Sequence, residues 1–190
     1  FSYPLNLISI PYIDIFIISM EGYMIPRKRA VLHPSLTNVY KGNDLNIILE
    51  MFLAFEEYWL TGYLYEFGLD APLDRPASAK ASGLCHVHVL YNDELFTDID
   101  YREWERNSHP EIPPILRSKR MNCDSMVIYS VSREGTALFL MFYPSSGHER
   151  IRHGTIELSN LATVSEDYFA SIEETPASYE EVMELLQLPT

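Results

Sequence analysis

Apolar residues between positions 45 and 59 recur at the spacing of one face of an α-helix. Asn43 and Asp44 stand just before this run, and either side chain can cap the first turn of a helix. The residues of the predicted apolar face are Leu45, Ile48, Leu49, Phe52, Phe55 and Trp59. The pattern therefore predicts a helix that buries this face and ends at Gly62, a residue that favours helix termination.

Alternation of apolar and polar positions indicates a β-strand over residues 83–92. Successive side chains of a strand point to opposite faces of its sheet. One face of this strand is predicted to carry Cys85, Val87 and Val89, and the other face to carry His86 and His88. The strand therefore places two imidazoles beside each other.

Two further apolar runs, residues 126–132 and 137–143, flank the sequence REGT, in which Gly135 permits a tight turn. They predict a β-hairpin.

After Gly154 the apolar spacing becomes helical again, and the residues that carry it are Leu158, Leu161, Ser165 and Tyr168. A closing helix that covers the sheet is therefore expected.

The remaining segments complete the predicted order of elements. Residues 24–34 predict a short strand or an extended arm that Pro34 ends. Residues 67–83 predict a loop rich in Pro, Gly and Ser, and one helical turn is expected near residues 101–106. Ser178 and Glu181 form a capping-box pair that favours a short acidic helix. The order predicts an α+β fold with an N-terminal helix, an antiparallel sheet that includes the hairpin, and a closing C-terminal helix. We expect the helices to lie on one side of the sheet.

Length and composition suit one globular domain, since the chain has 190 residues, of which 47% are hydrophobic and 22% are charged. We expect residues 24–170 to form this domain and residues 171–190 to form an acidic tail. Residues 1–23 contain no Lys or Arg and two prolines, unlike a signal peptide or a membrane span. We expect them to precede the initiator Met24 and to lie outside the domain. The alternative is an extra strand packed on the domain.

The formal net charge of −13 by itself disfavours binding to nucleic acid, because phosphates repel an acidic surface. The charge is uneven, however, since residues 165–190 alone contribute −7. Residues 113–153 instead hold six Lys and Arg residues against three acids, together with His148 and His153. The basic residues therefore gather around the predicted hairpin.

Cysteine and histidine usage indicates no metal site. The two cysteines, Cys85 and Cys123, are too few for a disulfide framework, and we expect both to be thiols. His86 and His88 could ligate a metal or supply a base, and the alternative is a solvated or partner-covered sheet face. No third ligand stands at a diagnostic spacing, so neither metal nor cofactor is predicted.

Two basic sequences could act on a phosphate. RSKR, residues 117–120, precedes the hairpin and is either a solvated charge run or a phosphate clamp, for which the donors of Arg are suited. GHERIRH, residues 147–153, follows the hairpin and places His148 and Arg152 four residues apart, on one side of a helical turn. An imidazole and a guanidinium are sufficient to cut RNA without a metal, whereas the alternative is a basic helix start that only packs.

Between about Met24 and Phe169 the chain resembles the YafO family of toxins from type II toxin–antitoxin systems. The resemblance rests on the order and spacing of several pieces rather than on one motif. These pieces are Phe55–Tyr58, Gly62, Phe67–Gly68, Asp70–Ala71, Arg75–Pro76, the strand CHVHV, Pro113–Pro114, Arg117, Arg120, Val127–Tyr129, Pro144, His148, Arg152 and Tyr168–Phe169. One departure concerns Arg120–Cys123, which reads RMNC where the family tends to have RTSD or RTND.

This resemblance implies a cytoplasmic, metal-independent endoribonuclease with a RelE/ParE-like architecture. Such a toxin cleaves mRNA on the ribosome, inhibits translation and is held inactive by a cognate antitoxin. The implied catalytic residues are His148, Arg152, Arg120, His86 and His88, and the implied RNA-binding residues are Arg117, Lys119 and Arg150. Two alternatives remain open: a non-catalytic or decayed toxin relative that acts as a protein-binding module, and a metal enzyme that uses His86 and His88.

Overall fold

The computed structural model describes residues 28–91, 102, 104–106 and 123–187, and in this part of the chain it is a mixed α+β fold around a five-stranded sheet. The strands are β1 (Arg29–Leu32), β2 (Phe67–Pro72), β3 (Cys85–Val89), β4 (Met126–Val131) and β5 (Thr136–Tyr143). The helices are α1 (Pro34–Val39), α2 (Gly42–Thr61), α3 (Ala77–Ala81), α4 (Gly147–His153), α5 (Thr155–Ser171) and α6 (Tyr179–Gln187). The α+β class predicted from the sequence is thereby confirmed.

The strand order across the sheet is β1-β5-β4-β3-β2. Strands β2 to β5 pair with their neighbours in antiparallel fashion, and the turn at residues 132–135 joins β4 to β5. Strand β1 pairs with β5 in parallel, with Arg29 opposite Thr136. The prediction of an antiparallel sheet therefore holds for β2 to β5 and is wrong for β1, because an arm of four residues carries no sequence signal for the direction of its partner.

Three predicted elements are confirmed with small shifts of their ends. Helix α2 begins at Gly42 and ends where Gly62, at φ 72°, donates its N–H to the carbonyl of Tyr58. Strand β3 and helix α5 lie where the alternation and the helical spacing placed them. Glycine suits the end of α2 because it adopts the left-handed conformation without strain.

Residues 67–83, which were predicted to be a loop, instead form strand β2 and helix α3. Strand β2 is an edge strand, and its proline lies at its last position, where a missing N–H donor is tolerated. Phe67 is completely buried and Leu73 is nearly so. Burial of these side chains therefore outweighs the turn-forming character of the surrounding sequence.

Helices cover both faces of the sheet, which corrects the expectation of helices on one side. Helices α2 and α6 pack on the face that carries Cys85, Val87 and Val89. Helices α3 and α5 pack on the opposite face, against Ile128 and Leu138. The runs of β4 and β5 are apolar at nearly every position because both of their faces are buried.

The C-terminal segment set apart as an acidic tail contributes helix α6 to the core. Its apolar side chains Val182, Met183, Leu185 and Leu186 are buried against α2. The capping box is present, since Ser178 N donates to Glu181 Oε2 at 2.7 Å and Glu181 N donates to Ser178 Oγ at 3.3 Å. The acidic residues therefore occupy the outer side of a packed helix.

Both cysteines are free and buried, which confirms that they are thiols, and Cys85 faces the apolar side of its strand as expected. In the part of the chain that the structure describes, no helix has the length and hydropathy needed to span a bilayer. The expectations for residues 1–23 fall outside the described residues.

Candidate functional site

Strand β3 places His86 and His88 on the sheet face that packs against α3 and α5. His88 lies opposite Met126 of β4, and His86 lies opposite Ile128. The centroids of the two imidazole rings are 5.1 Å apart, and the rings meet edge to face at 77°. The alternation of β3 therefore brings the two histidines together as predicted.

A third histidine, His148, extends this pair towards the surface. Its ring stacks on that of His88 with 5.1 Å between centroids and 26° between planes. His148 belongs to the first turn of α4, just beyond the end of β5, and β4 begins with Met126 beside the last residue of β5, Tyr143. The antiparallel pairing of β4 with β5 and with β3 therefore joins distant segments at one end of the sheet.

Asp124 fixes His148 in this position. Its carboxylate accepts hydrogen bonds from the backbone N–H groups of Ser146 and His148, and its Oδ1 lies 2.9 Å from Nδ1 of the His148 ring. Gly147 N donates to the Asp124 carbonyl at 2.9 Å, and a Cβ at Gly147 would lie 2.6 Å from that oxygen. Only glycine therefore permits this close approach of α4 to the start of β4.

The three histidines and Asp124, here called the histidine cluster, differ in their exposure to solvent. Burial, then the charges of His88 and His148, lowers the pKa of His86 to about 3. Burial likewise lowers the pKa of His88 to about 4, against the opposing effect of its hydrogen bond to the Cys123 carbonyl. The side chain of His148 is 38% exposed. At neutral pH the rings of His86 and His88 are therefore uncharged, and His148 is more exposed than His88, which is 2% exposed.

Asp124 keeps its negative charge at neutral pH. Burial raises the pKa of its carboxyl group, but the hydrogen bonds from the backbone and ring of His148 and from the backbone of Ser146 outweigh burial and lower it. His88 Nδ1 lies 2.7 Å from the Cys123 carbonyl, so this nitrogen must carry the donated proton. The cluster thus consists of an anion, a half-exposed imidazole and two neutral imidazoles beneath it.

Helix α4 also carries the cations of the site. Arg152 is exposed and follows His148 by four residues, on the same side of the helix. Among the described residues it forms no ion pair. Arg150 points elsewhere, because its guanidinium lies 5.0 Å from the centre of the Tyr143 ring and 3.6 Å from Glu157.

The structure thus brings together three of the five residues predicted to be catalytic, namely His86, His88 and His148, and Arg152 lies four residues after His148 on the same helix. Arg120 and the predicted RNA-binding residues Arg117 and Lys119 lie outside the described residues. Within the described ranges, no group of three or more His, Cys, Asp or Glu side chains is placed to hold a metal ion.

Sequence reasoning missed Asp124. The departure RMNC at residues 120–123 was interpreted as the loss of an acid, yet the next residue is this aspartate. Its position supplied the signal: Asp124 stands two residues before β4 and His148 five residues after β5, so antiparallel pairing brings both to the same end of the hairpin.

A family model described as Toxin YafO, type II toxin–antitoxin system, matches residues 55–170, which is more than half of the chain. The matched segment includes every member of the histidine cluster and all of α4. Neither the curated proteins nor the solved structures include a significant match to the chain.

Proposed function

Because the chain belongs to the YafO family of toxins from type II toxin–antitoxin systems, we propose that it is a cytoplasmic endoribonuclease that cleaves mRNA on the ribosome. Membership of this family implies a cognate antitoxin as partner. The observation that carries the proposed activity is the His148–Asp124 pair at the surface end of the histidine cluster.

The geometry of this pair suits a general base. When the ring Nδ1–H donates to Asp124, the neutral ring has its basic nitrogen at Nε2, and the carboxylate stabilises the imidazolium that forms on proton uptake. This nitrogen takes the proton of a ribose 2′-hydroxyl, and the resulting oxygen attacks the adjacent phosphorus. The bond to the 5′-oxygen breaks and that oxygen takes up a proton from water, while the His148 imidazolium later returns its proton to solvent. The products are a 2′,3′-cyclic phosphate and a 5′-hydroxyl end.

Arg152 is the cation nearest in sequence on the same side of α4, and we assign it to the charge that develops on the phosphorane. Arg117, Lys119 and Arg120 are proposed to hold the RNA backbone near this site. His86 and His88 are neutral and act by supporting the ring of His148. The ribosome is proposed to present the RNA, since a chain with a net charge of −13 attracts free RNA poorly.

Expression in a host cell provides the first test. The parent is expected to arrest growth, and co-expression of the antitoxin should relieve the arrest. Purified protein should then cut mRNA on programmed ribosomes and leave cyclic phosphate ends. Removing one transition-state stabiliser costs about 2.7–4 kcal/mol, so Arg152→Ala and His148→Ala should each slow cleavage roughly a hundred- to a thousand-fold.

Arg133 provides the matched control, because it lies in the turn at the other end of β5. It pairs with Glu181 at 3.1 Å on the surface, an interaction of about 0–1 kcal/mol, so Arg133→Ala should cut RNA like the parent. If Arg152→Ala and His148→Ala both cut like the parent, the site is misplaced. If the parent itself is harmless and cuts no RNA, the chain is the non-catalytic protein-binding relative.

A further inference from the structure

A cleft lies beside the histidine cluster, between the start of α2, the end of β5 and the start of α5. Its volume is about 300 Å³, at the small end of the range for ligand pockets. The residues that matter for its chemistry are Tyr40, Ile47 and Tyr143 as flat or apolar walls, and Asp44, Arg150 and Glu157 as charged groups. This combination suits a small, flat, polar ligand rather than an aliphatic one.

The flat walls include a stacked cation. The guanidinium of Arg150 lies 5.0 Å from the centre of the Tyr143 ring. Tyr143 is 3% exposed, so only a small part of its ring borders the cleft. Burial, then the charge of Glu157 and a hydrogen bond to Glu157, raises the pKa of Tyr143, so the hydroxyl stays protonated beside this carboxylate.

The charges select among flat ligands. Asp44 and Glu157 bring carboxylate oxygens to the cleft, and these accept hydrogen bonds. Glu157 is only loosely paired, at 3.6 Å from Arg150, and its side chain is 36% exposed. Two carboxylates against one guanidinium disfavour a phosphate in this cleft. They favour a ring that carries an amino group, which donates hydrogen bonds to them.

The position of the cleft connects it with RNA. Arg150 follows His148 by two residues on α4, so their side chains leave the helix on nearly opposite sides. Pro144 and Ser145 also line the cleft and directly precede the segment Ser146–His148 that Asp124 holds, so RNA bound at His148 would pass near the cleft. Bases stack readily on aromatic rings and on guanidinium planes.

We propose that this cleft holds one nucleobase with an exocyclic amino group (adenine, guanine or cytosine) and disfavours uracil, which directs carbonyl oxygens at the carboxylates. The proposal rests on the endoribonuclease function proposed above, and it makes Asp44, Arg150 and Glu157 determinants of sequence preference. Good polar contacts to a base edge give roughly tenfold discrimination or more.

The proposed preference for amino-bearing bases over uracil can be tested by cleavage on programmed ribosomes. The messages used differ from one another at single positions. With the parent, uracil at one position near the cut should slow cleavage roughly tenfold relative to cytosine. Glu157→Gln supplies an amide donor that tolerates the uracil carbonyl, so the discrimination should fall to about threefold or less. Glu166→Gln is the matched control, because Glu166 is exposed on the same helix outside the cleft and should retain the parent's preference.

Binding of single nucleotides separates this proposal from the proposed activity. NMR spectra of the parent are recorded with cytidine monophosphate and with uridine monophosphate at the same concentration. Cytidine monophosphate should shift the ring signals of Tyr143 at least several-fold more than uridine monophosphate does. This result without RNA cleavage supports the cleft and rejects the activity. Cleavage whose rate is the same with uracil and cytosine at every position overturns the cleft and leaves the activity standing. Absence of cleavage together with equal or no perturbation by the two nucleotides overturns both.

Discussion

Each face of the sheet buries a polar cluster among the described residues, and these two clusters differ in how they end. On the face covered by α2 and α6, Asp70 accepts hydrogen bonds from the hydroxyls of Tyr58 at 2.8 Å and Tyr129 at 2.6 Å, and its carbonyl accepts one from Tyr179 at 2.9 Å. We call these four residues the tyrosine–aspartate cluster. On the other face, the histidine cluster reaches solvent through His148.

The comparison indicates what each cluster does. A buried hydrogen-bond network inside the core fixes how the surrounding elements pack. The tyrosine–aspartate cluster joins α2, β2, β4 and α6 in this way, and Asp70 is only 1% exposed. A buried network that ends at a half-exposed titratable ring can exchange protons with a ligand. We therefore expect changes in the first cluster to alter stability and changes in the second to alter activity.

The largest expected effect comes from removing residues 178–190, which include α6. The deletion strips four buried apolar side chains from the core and removes the Tyr179 hydrogen bond to Asp70. Each such side chain contributes about 1.5–3 kcal/mol, so the loss approaches the whole stability of an ordinary domain. Thermal unfolding followed by circular dichroism should lose its cooperativity.

Glu184→Gln serves as a control for the lost negative charge, because Glu184 is exposed on α6. This variant should unfold like the parent. A truncated chain that unfolds cooperatively within a few degrees of the parent would show that α6 is a dispensable acidic tail, as the sequence alone suggested.

The next largest effect is expected from Asp70→Ala, which leaves two buried tyrosine hydroxyls without their acceptor. Each orphaned buried group costs about 1–3 kcal/mol, so the free energy of unfolding should fall by roughly 2–6 kcal/mol. Urea denaturation measures the change. Asp74→Ala is the control, since Asp74 is 72% exposed and only loosely paired with Lys80 at 3.6 Å. Equal stabilities of the two variants would mean that the closed cluster contributes nothing.

Much of this fold follows from the sequence because periodicity reports burial directly. The spacing in α2 and the alternation in β3 placed Phe55 and His88 correctly. Strand β2 was missed because its stability comes from pairing with β3 and from Asp70, whose tyrosine partners are distant in sequence. A polar residue in a Gly- and Pro-rich stretch indicates a turn until its tertiary partners are known.

The candidate site was predictable to a similar extent. His148 and Arg152 share a helical turn, so sequence spacing alone relates them. The stacking of His148 on His88 depends on how β3, β4 and β5 are ordered, which no local pattern encodes. Asp124 lies outside any periodic segment, and only its pairing with α4 reveals its role.

The next effect is a pH dependence of stability that arises from the histidine cluster. The pKa values of His86 and His88 are lowered to about 3 and about 4 in the folded protein. The unfolded chain binds these protons near pH 6.5, so acid favours unfolding, and stability should fall as the pH drops from about 6.5 towards 4. For His88, which is 2% exposed, the loss is on the order of 3 kcal/mol.

Urea denaturation at a series of pH values checks this dependence. His88→Gln should flatten the plot of unfolding free energy against pH between about pH 6.5 and about 4. His153→Gln changes the exposed last residue of α4 and should follow the parent. Carboxylates such as Asp124, whose pKa is lowered, lose their stabilising effect only at lower pH. Identical slopes for the parent and His88→Gln would show that the inner ring is not held neutral.

The smallest expected effect sharpens the comparison within the histidine cluster, where His88 acts as a positioning residue. His88→Phe keeps a flat ring beneath His148 but removes the hydrogen bond of 2.7 Å to the carbonyl of Cys123, the residue before Asp124. Losing one such bond costs about 1–1.5 kcal/mol, so kcat should fall roughly tenfold while KM stays unchanged. A purely structural role would lower the amount of folded protein and leave kcat per folded molecule intact.

The NMR signal of the proton shared by His148 and Asp124 should also broaden in His88→Phe, because the segment that carries Asp124 is held less firmly. His153→Phe is the matched control and should change neither quantity. A variant at His88 with the parent's kcat and an unbroadened signal would restrict the working part of the cluster to His148 and Asp124.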